Sequence, residues 1–157
     1  MYGAFGICRV TAIEKRDFTG EEQEYYILRH ISSDKNTFYV PTGSEAALGN
    51  MHPVCSKAEV DELISHMNSE GLIWIDNDIA RKAEYSRIIK NADKRELIML
   101  IKTLYLRRRK LAGSGKKLRS ADENYLSLAE NMLFEEFAYA LGIDRSEVVG
   151  YIEEHIA

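Results

Sequence analysis

The spacing of hydrophobic residues along this chain changes once, near Ser56. Before that residue, apolar and polar side chains alternate in short runs bounded by turn-forming residues, which predicts antiparallel strands. After it, apolar residues recur every three or four positions, which predicts amphipathic helices. We therefore expect an α+β protein with a small β module at residues 1–55 and a helical domain at residues 56–157.

Three strands are predicted in the β module, at residues 7–13, 24–31 and 37–40. The polar segments 17–20 and 32–36 connect them, and Pro41 ends the third strand. Short connections between successive strands produce a meander, which is the build of a small barrel or a curled sheet. Such a sheet exposes an edge strand, where another protein or a second copy of the chain can pair.

Five helices are predicted in the second domain, at residues 56–67, 79–90, 93–111, 120–141 and 144–156. Ser56 and Glu59 fit a capping box at the start of the first helix, and Gly142 fits the end of the fourth. The Gly-Ser-Gly segment at 113–115 ends the third helix. Each helix carries an apolar stripe, so we expect a five-helix all-α bundle whose stripes form its core.

The composition is that of a folded, soluble protein, because 45% of the 157 residues are hydrophobic and 29% are charged. The sequence has no run of about 18 apolar residues and no secretory signal, so we expect a cytoplasmic protein without a membrane segment. Cys8, Cys55 and the four histidines lack the spacing of metal ligands. We expect buried, reduced thiols, no metal site and no cofactor.

No catalytic arrangement can be proposed from the sequence. Glu135 and Glu136 are adjacent, so their side chains point about 100° apart on a helix, and no histidine has a spacing that pairs it with a nucleophile. The segment 113–117 is not a phosphate-binding loop, because Lys110 stands where that motif has its first glycine and no strand precedes it. We expect a protein without enzymatic activity and without catalytic residues.

Charge is distributed unevenly along the chain, although the net charge is only −4. Eight bases and no acid lie between residues 102 and 119, whereas nine acids and one base follow residue 121. Two such blocks either pair their charges between helices or keep a basic surface for a polyanion. The sequence leaves both interpretations open.

Two groups of bases on consecutive predicted helices are candidates for contact with DNA. Trp74 and Tyr85 lie near the first group along the chain. Lysine and arginine neutralise phosphates while an aromatic ring covers an exposed base, so this combination is typical of DNA binding. The same residues also fit an ordinary solvated helix surface. The candidate DNA-binding residues are Arg81, Lys82, Arg87, Lys90, Arg107, Arg108, Arg109 and Lys110.

Several short motifs occur in a fixed order along the chain. In the β module they comprise Tyr2, Gly6, Ile7, Val10, Ile13, Glu14, Gly20, Glu24, Tyr25, Tyr26, Leu28, Val40, Pro41, Leu48 and Gly49. In the helical domain they comprise Leu126, Ala129, Leu133, Glu136, Phe137, Ala138, Leu141 and Gly142. In this order and spacing the chain resembles the CarD/CdnL family of bacterial transcription regulators. That family shares its RNA-polymerase-interacting domain with transcription-repair coupling factor.

This resemblance implies a Tudor/SH3-like β module followed by a helical bundle. It implies docking on the β subunit of RNA polymerase, with Arg16 and Tyr39 at positions where the family often has bases, and contact of the helical domain with promoter DNA. The family usually has a further strand before the tyrosine that matches Tyr2. Either that strand is missing here, or the barrel is incomplete and its open edge permits dimerisation.

The sequence departs from the family pattern at the expected DNA contact. The family places a tryptophan wedge four residues before the tyrosine that matches Tyr85, and here that position is Arg81. The family's phosphate-binding lysine falls on Ser86. Because a guanidinium cannot separate base pairs as an indole does, we expect an electrostatic contact with DNA. The leading hypothesis is a transcription regulator, and the alternative is a protein–protein adaptor without nucleic-acid contact.

Overall fold

The computed structural model describes residues 1–2 and 5–156 and divides the chain into two compact units, Met1–Val54 and Cys55–Ala157. The first unit is built on an antiparallel sheet and the second is entirely helical. The predicted α+β fold class is therefore confirmed.

The sheet of the first unit has three strands in the order β1-β2-β3. Their bounds are Cys8–Asp17 for β1, Glu22–His30 for β2 and Ser33–Pro41 for β3. All three are longer than predicted, although Ile7 and Ile31 lie outside β1 and β2, and the second connection shortens to residues 31–32 because β3 begins at Ser33. The first connection is the predicted polar turn. There the Gly20 N–H donates to Asp17 Oδ1 at 2.7 Å, and Gly20 adopts a φ of 91° that favours glycine.

Burial in the sheet differs from the half-buried pattern that alternation predicts for the first strand. Val10 and Ile13 on β1 are 49% and 56% exposed. Their apolar side chains have strand neighbours on one side only, because β1 is an edge of the sheet among the described residues. Ile7, just before β1, is buried instead. Among the residues of this unit whose burial is described, the buried ones are Ile7, Tyr25, Ile27, Leu28 and Val40.

A one-turn helix, α1, follows the sheet at Glu45–Leu48 and is absent from the sequence prediction. Ser44 caps it, since its hydroxyl oxygen accepts from the Ala47 N–H at 3.2 Å. A helix of four residues is too short to show a hydrophobic period, which is why pattern analysis misses it. After α1 the chain returns to its own beginning, where Met51 forms an isolated antiparallel bridge with Tyr2.

The second unit contains five helices, close to the five predicted. They are α2 at Lys57–Ser69, α3 at Asp78–Asn91, α4 at Lys94–Ala112, α5 at Ser120–Leu141 and α6 at Arg145–His155. The predicted capping box of Ser56 and Glu59 is present, and Gly142 ends α5 with a φ of 67°. None of the helices in the described ranges is long and apolar enough to cross a lipid bilayer.

Helix α4 is the centre of the bundle. Its nine consecutive residues from Leu97 to Tyr105 are all buried, and they include one base, Lys102. Lys102 is only 7% exposed, and its ammonium donates to the carbonyl oxygens of Met67 and Glu70 at the end of α2. Those carbonyls belong to the helix end, where backbone acceptors lack intrahelical donors. Lys102 therefore stabilises the end of α2.

Candidate protein and nucleic-acid interfaces

The sheet places Arg16 and Tyr39 on the same face. Arg16 pairs with Gln23 across β1 and β2, and Tyr39 pairs with Ile27 across β2 and β3. Paired residues share a face, and Gln23 and Ile27 are four positions apart on one strand, so all four side chains project to one side. Arg16 also forms an exposed ion pair with Glu14 at 2.6 Å. Such pairs contribute little to stability, so a partner can displace this one.

An aromatic cluster borders this face, and its outermost member, Phe18, was missed by the sequence prediction. The ring centroid of Phe18 lies 5.2 Å from that of Tyr25 and 5.1 Å from that of Tyr39. Tyr25 is buried, whereas Phe18 is 58% and Tyr39 is 42% exposed. Exposed aromatic rings beside an arginine are typical of protein–protein interfaces. The available signal was a phenylalanine inside an otherwise polar turn.

Arg81, the residue at the family's wedge position, lies in the interior of the helical unit. It is 2% exposed. Its Nε and Nη2 donate to the two carboxylate oxygens of Asp122 at 3.0 and 3.1 Å. Nη1 donates to the Ile75 carbonyl at 2.9 Å and Nη2 to Asp78 Oδ1 at 2.8 Å. The guanidinium is therefore compensated by two carboxylates, and it ties the first turn of α3 to the first turn of α5.

The segment between α2 and α3 folds back so that Trp74 meets Arg81 and Arg107. Both guanidinium carbons lie over the Trp74 ring, each 4.4 Å from its centroid. The indole N–H donates to Asp76 Oδ1 at 2.9 Å, and the ring is partly buried. Cations over an indole face are attracted by its quadrupole. Trp74 is thus held against the bundle next to the α4 bases, a placement that the sequence could not establish.

Tyr85 is buried in the core and is not exposed on the surface beside Trp74. Its hydroxyl donates to the Ile73 carbonyl at 3.2 Å, and its ring packs edge-on against Tyr125 with centroids 5.7 Å apart. Burial, reinforced by the negative charge of Asp122, raises the pKa of Tyr85 to about 12. Tyr85 therefore belongs to the core and offers no free ring to a base.

Three of the predicted DNA-binding arginines form exposed ion pairs. Arg87 lies 2.7 Å from both Glu84 and Glu96, Arg108 lies 2.8 Å from Glu123, and Arg109 lies 3.7 Å from Glu153. The last two pairs join α4 to α5 and α6, so the basic and acidic blocks of the sequence do meet. Only part of the basic block is compensated in this way.

The remaining predicted bases are Lys82, Lys90, Arg107 and Lys110, and no acidic partner is seen for them within the described ranges. The three lysines are exposed. Lys82 and Lys90 lie eight residues apart, or about 12 Å along α3. Arg81 and Arg107 both contact Trp74, so the start of α3 is next to the end of α4. The bases therefore divide between the two ends of α3 and do not form one patch.

Cys55 and Lys94, both half-buried, form a polar node with the buried Glu136 in the helical unit. Glu136 is 1% exposed and accepts from the Cys55 N–H at 2.9 Å and from Lys94 Nζ at 2.8 Å. Burial raises the pKa of the Cys55 thiol. Burial lowers the pKa of Lys94, but the hydrogen bonds and charges of Glu136 and Cys55 together outweigh burial and raise the pKa. A thiol with a raised pKa is a poor nucleophile, so the node is structural.

Within residues 1–2 and 5–156, no three His, Cys, Asp or Glu side chains are grouped so as to hold a metal ion. Comparison with known proteins identifies the first unit, because residues 1–54 match the family model of the CarD-like/TRCF RID domain. Domains of that family are non-catalytic protein-interaction modules of transcription-related proteins that contact RNA polymerase. The predicted resemblance is thereby confirmed for these residues. No curated protein matches the chain.

Proposed function

Since residues 1–54 form a CarD-like RNA-polymerase-interacting domain, we propose that this chain is a non-enzymatic bacterial transcription regulator acting in the cytoplasm. The first unit docks on the β subunit of RNA polymerase, and the helical unit contacts promoter DNA through its exposed bases. The match over residues 1–54 is the observation that carries this proposal. Arg16, Phe18 and Tyr39 supply a surface of suitable chemistry on that same unit.

The polymerase contact rests on one face of the sheet. Arg16 and Tyr39 project from this face, and Phe18 extends it with a second exposed ring. The edge of β1, which has no neighbouring strand among the described residues, is a second place where a strand of the partner could add to the sheet. An arginine and two aromatic rings at the centre of an interface are the residue types that most often carry its binding energy.

The test measures binding of the full chain to RNA polymerase and to its isolated β subunit. We expect Arg16→Glu to weaken both by at least about tenfold, which corresponds to about 1.4 kcal/mol. Lys15→Glu is the matched control, because it makes the same charge change on the next residue of β1, whose side chain points to the opposite face. Equal weakening by both variants would show that net charge, not this face, governs binding.

The DNA contact rests on the exposed bases that lack acidic partners. Lys82 and Lys110 are the clearest candidates, since both are exposed and both lie near the end of the bundle that holds Trp74. Lys90 lies at the other end of α3. Arg81 has a structural role in this proposal, because its charge is compensated by Asp122 and Asp78.

Gel-shift titrations of forked promoter DNA over a range of salt concentrations test this contact. The log of the affinity should fall linearly with the log of salt, with a slope of about 0.9 per phosphate neutralised. The double variant Lys82→Ala/Lys110→Ala should reduce that slope, whereas the control double variant Lys57→Ala/Arg95→Ala should not. A flat salt dependence of the unmodified chain, with polymerase binding intact, would remove DNA from the proposal.

A protein–protein adaptor without nucleic-acid contact is the second candidate. Its support is that Arg81, Arg87, Arg108 and Arg109 all have acidic partners, which leaves few uncompensated bases on the helical unit. The same gel-shift experiment separates the two functions. An adaptor would bind polymerase with the Arg16 dependence described above and would leave promoter DNA unshifted at every salt concentration.

A further inference from the structure

The helical unit contains a cleft of about 310 Å³ between the Trp74 segment, the end of α4 and the start of α5. This volume is at the lower end of the range of small-ligand sites. Its lining is unusually rich in charge, with five bases and three acids. The balance between these charges decides which kind of ligand the cleft can hold.

All three acids of the cleft already have partners. Asp122 accepts two hydrogen bonds from Arg81, Asp78 forms ion pairs with Arg81 and Arg119, and Asp76 accepts from the Trp74 indole. The carboxylates of these acids are therefore already engaged with neighbouring groups that line the cleft. A cation entering the cleft would have to compete with these contacts.

Three other bases of the cleft, Arg107, Lys116 and Lys117, lack acidic partners among the described residues. Arg107 stacks on Trp74, and its Nε is the single buried side-chain nitrogen or oxygen found without a hydrogen-bond partner in the described part of the chain. An unpaired buried guanidinium nitrogen is costly, and buried polar groups are nearly always hydrogen-bonded. Lys116 and Lys117 are exposed at the rim, with no acidic partner in the described ranges.

Electrostatic repulsion between Arg81 and Arg107 adds to the cost of leaving the charge of Arg107 uncompensated. The guanidinium carbons of Arg81 and Arg107 each lie 4.4 Å from the centroid of the same ring, so they are no farther apart than twice that distance. Arg81 is compensated by carboxylates and Arg107 is not. An anion beside the Arg107 guanidinium would compensate its charge and reduce the repulsion between the two cations.

The turn between α4 and α5 holds the rim lysines in place. Gly115 adopts a φ of 69°, and the Lys116 N–H donates to the Leu111 carbonyl at 2.8 Å, which turns the chain back against α4. Leu118 is buried and anchors the residues on either side of it. Helix α5 then begins after Arg119 with no side-chain cap, and its first turn carries Asp122 and Glu123.

We infer that this cleft binds a phosphate group, held by Arg107, Lys116 and Lys117 beside Trp74. Guanidinium and ammonium donors around a small concave site are the groups that proteins use for phosphate. The segment 113–117 was rejected above as a nucleotide-binding loop, and the present site differs, because side chains from three elements form it. The phosphate belongs either to the DNA backbone, which would deepen the proposed function, or to a free phosphorylated compound.

The experiment uses inorganic phosphate and a short DNA duplex as separate probes of the full chain. Trp74 is the sole tryptophan, so its fluorescence reports on this cleft alone, and the backbone amide signals of Lys116 and Lys117 in NMR spectra provide a second readout. We expect phosphate to produce saturable changes in these readouts. Lys116→Ala/Lys117→Ala should weaken binding at least tenfold, whereas Lys57→Ala/Arg95→Ala, which removes equal charge elsewhere, should not.

The two probes separate this inference from the proposed function. Loss of duplex binding in Lys116→Ala/Lys117→Ala, together with competition by phosphate, assigns the site to the DNA backbone. Phosphate binding at the cleft with unchanged or absent duplex binding assigns it to a free phosphorylated compound, and supports the inference even where the DNA contact fails. No saturable change with phosphate in either readout overturns the inference, whatever the chain does with polymerase. Duplex binding without dependence on these lysines, in a chain that shows no saturable change with phosphate, overturns the inference and leaves only the proposed function.

Discussion

Replacing Arg81 with alanine should severely destabilise the helical unit. The side chains of Arg81 and Asp122 are 3% and 2% exposed. Arg81 donates four hydrogen bonds, two to Asp122 and one each to Ile75 and Asp78. Its removal leaves the Asp122 carboxylate buried without either of these donors. Breaking a buried pair in this way costs about 3–5 kcal/mol, a large part of the roughly 5–15 kcal/mol that holds an ordinary domain folded.

Two further variants test whether this loss of folding free energy comes from burial of the Arg81–Asp122 pair. Arg108 pairs with Glu123 at 2.8 Å, but both side chains are well exposed, at 47% and 40%. Arg108→Ala should therefore cost only about 0–1 kcal/mol. The double variant Arg81→Met/Asp122→Leu should recover most of the loss, because apolar groups of similar volume need no compensating charge.

Urea unfolding of the full chain, followed by Trp74 fluorescence, measures these differences, because the only tryptophan lies in the helical unit. If Arg81→Ala fails to fold, Asp122→Asn keeps the measurement possible, since it removes the charge while retaining a hydrogen-bonding group of similar size. The reasoning is refuted if Arg81→Ala and Arg108→Ala lose the same free energy, or if the double variant is no more stable than Arg81→Ala.

Two further predictions concern the helix glycines Gly142 and Gly150 and the buried Tyr85. Gly142→Ala should destabilise the chain by about 1 kcal/mol, because Gly142 has a φ of 67°. Gly150→Ala should stabilise the chain by about 0.5–1 kcal/mol, because Gly150 lies inside α6 with open space around it. Urea unfolding measures both changes in free energy, and changes of the same sign would contradict this prediction. The raised pKa of Tyr85, about 12 against the ordinary value of 10.0, makes its neutral form favoured in the folded state. Its contribution to stability is complete below about pH 10 and is lost as the pH rises toward 12, so unfolding free energies measured across that window should fall less steeply in Tyr85→Phe.

The helical unit was largely predictable because its signals are local. The capping box of Ser56 and Glu59 forms within a single turn, and Gly142 ends α5 through its own backbone conformation. The sheet was less predictable. Val10 and Ile13 keep the strand pattern although they are exposed on an edge strand, because alternation reports the shape of a strand and not what covers it.

The candidate interfaces show the same division. Arg16 and Tyr39 were identified by resemblance, and the strand register brings them to one face. The adjoining ring of Phe18 was missed, because a residue in a turn has no hydrophobic period to mark it. On the helical unit, the sequence identified the bases but could not say which of them are compensated.

By itself, the sequence determined the two-part architecture, the positions of the five long helices and the resemblance of the first unit to a polymerase-interacting domain. These follow from spacing within one element, which a single stretch of chain contains. Only the tertiary structure decided the roles of Arg81 and Trp74. The partner of Arg81 is Asp122, 41 residues away, and Trp74 reaches Arg107 through packing. Charge compensation depends on distances in space, so a base that looks available in sequence can be buried and paired.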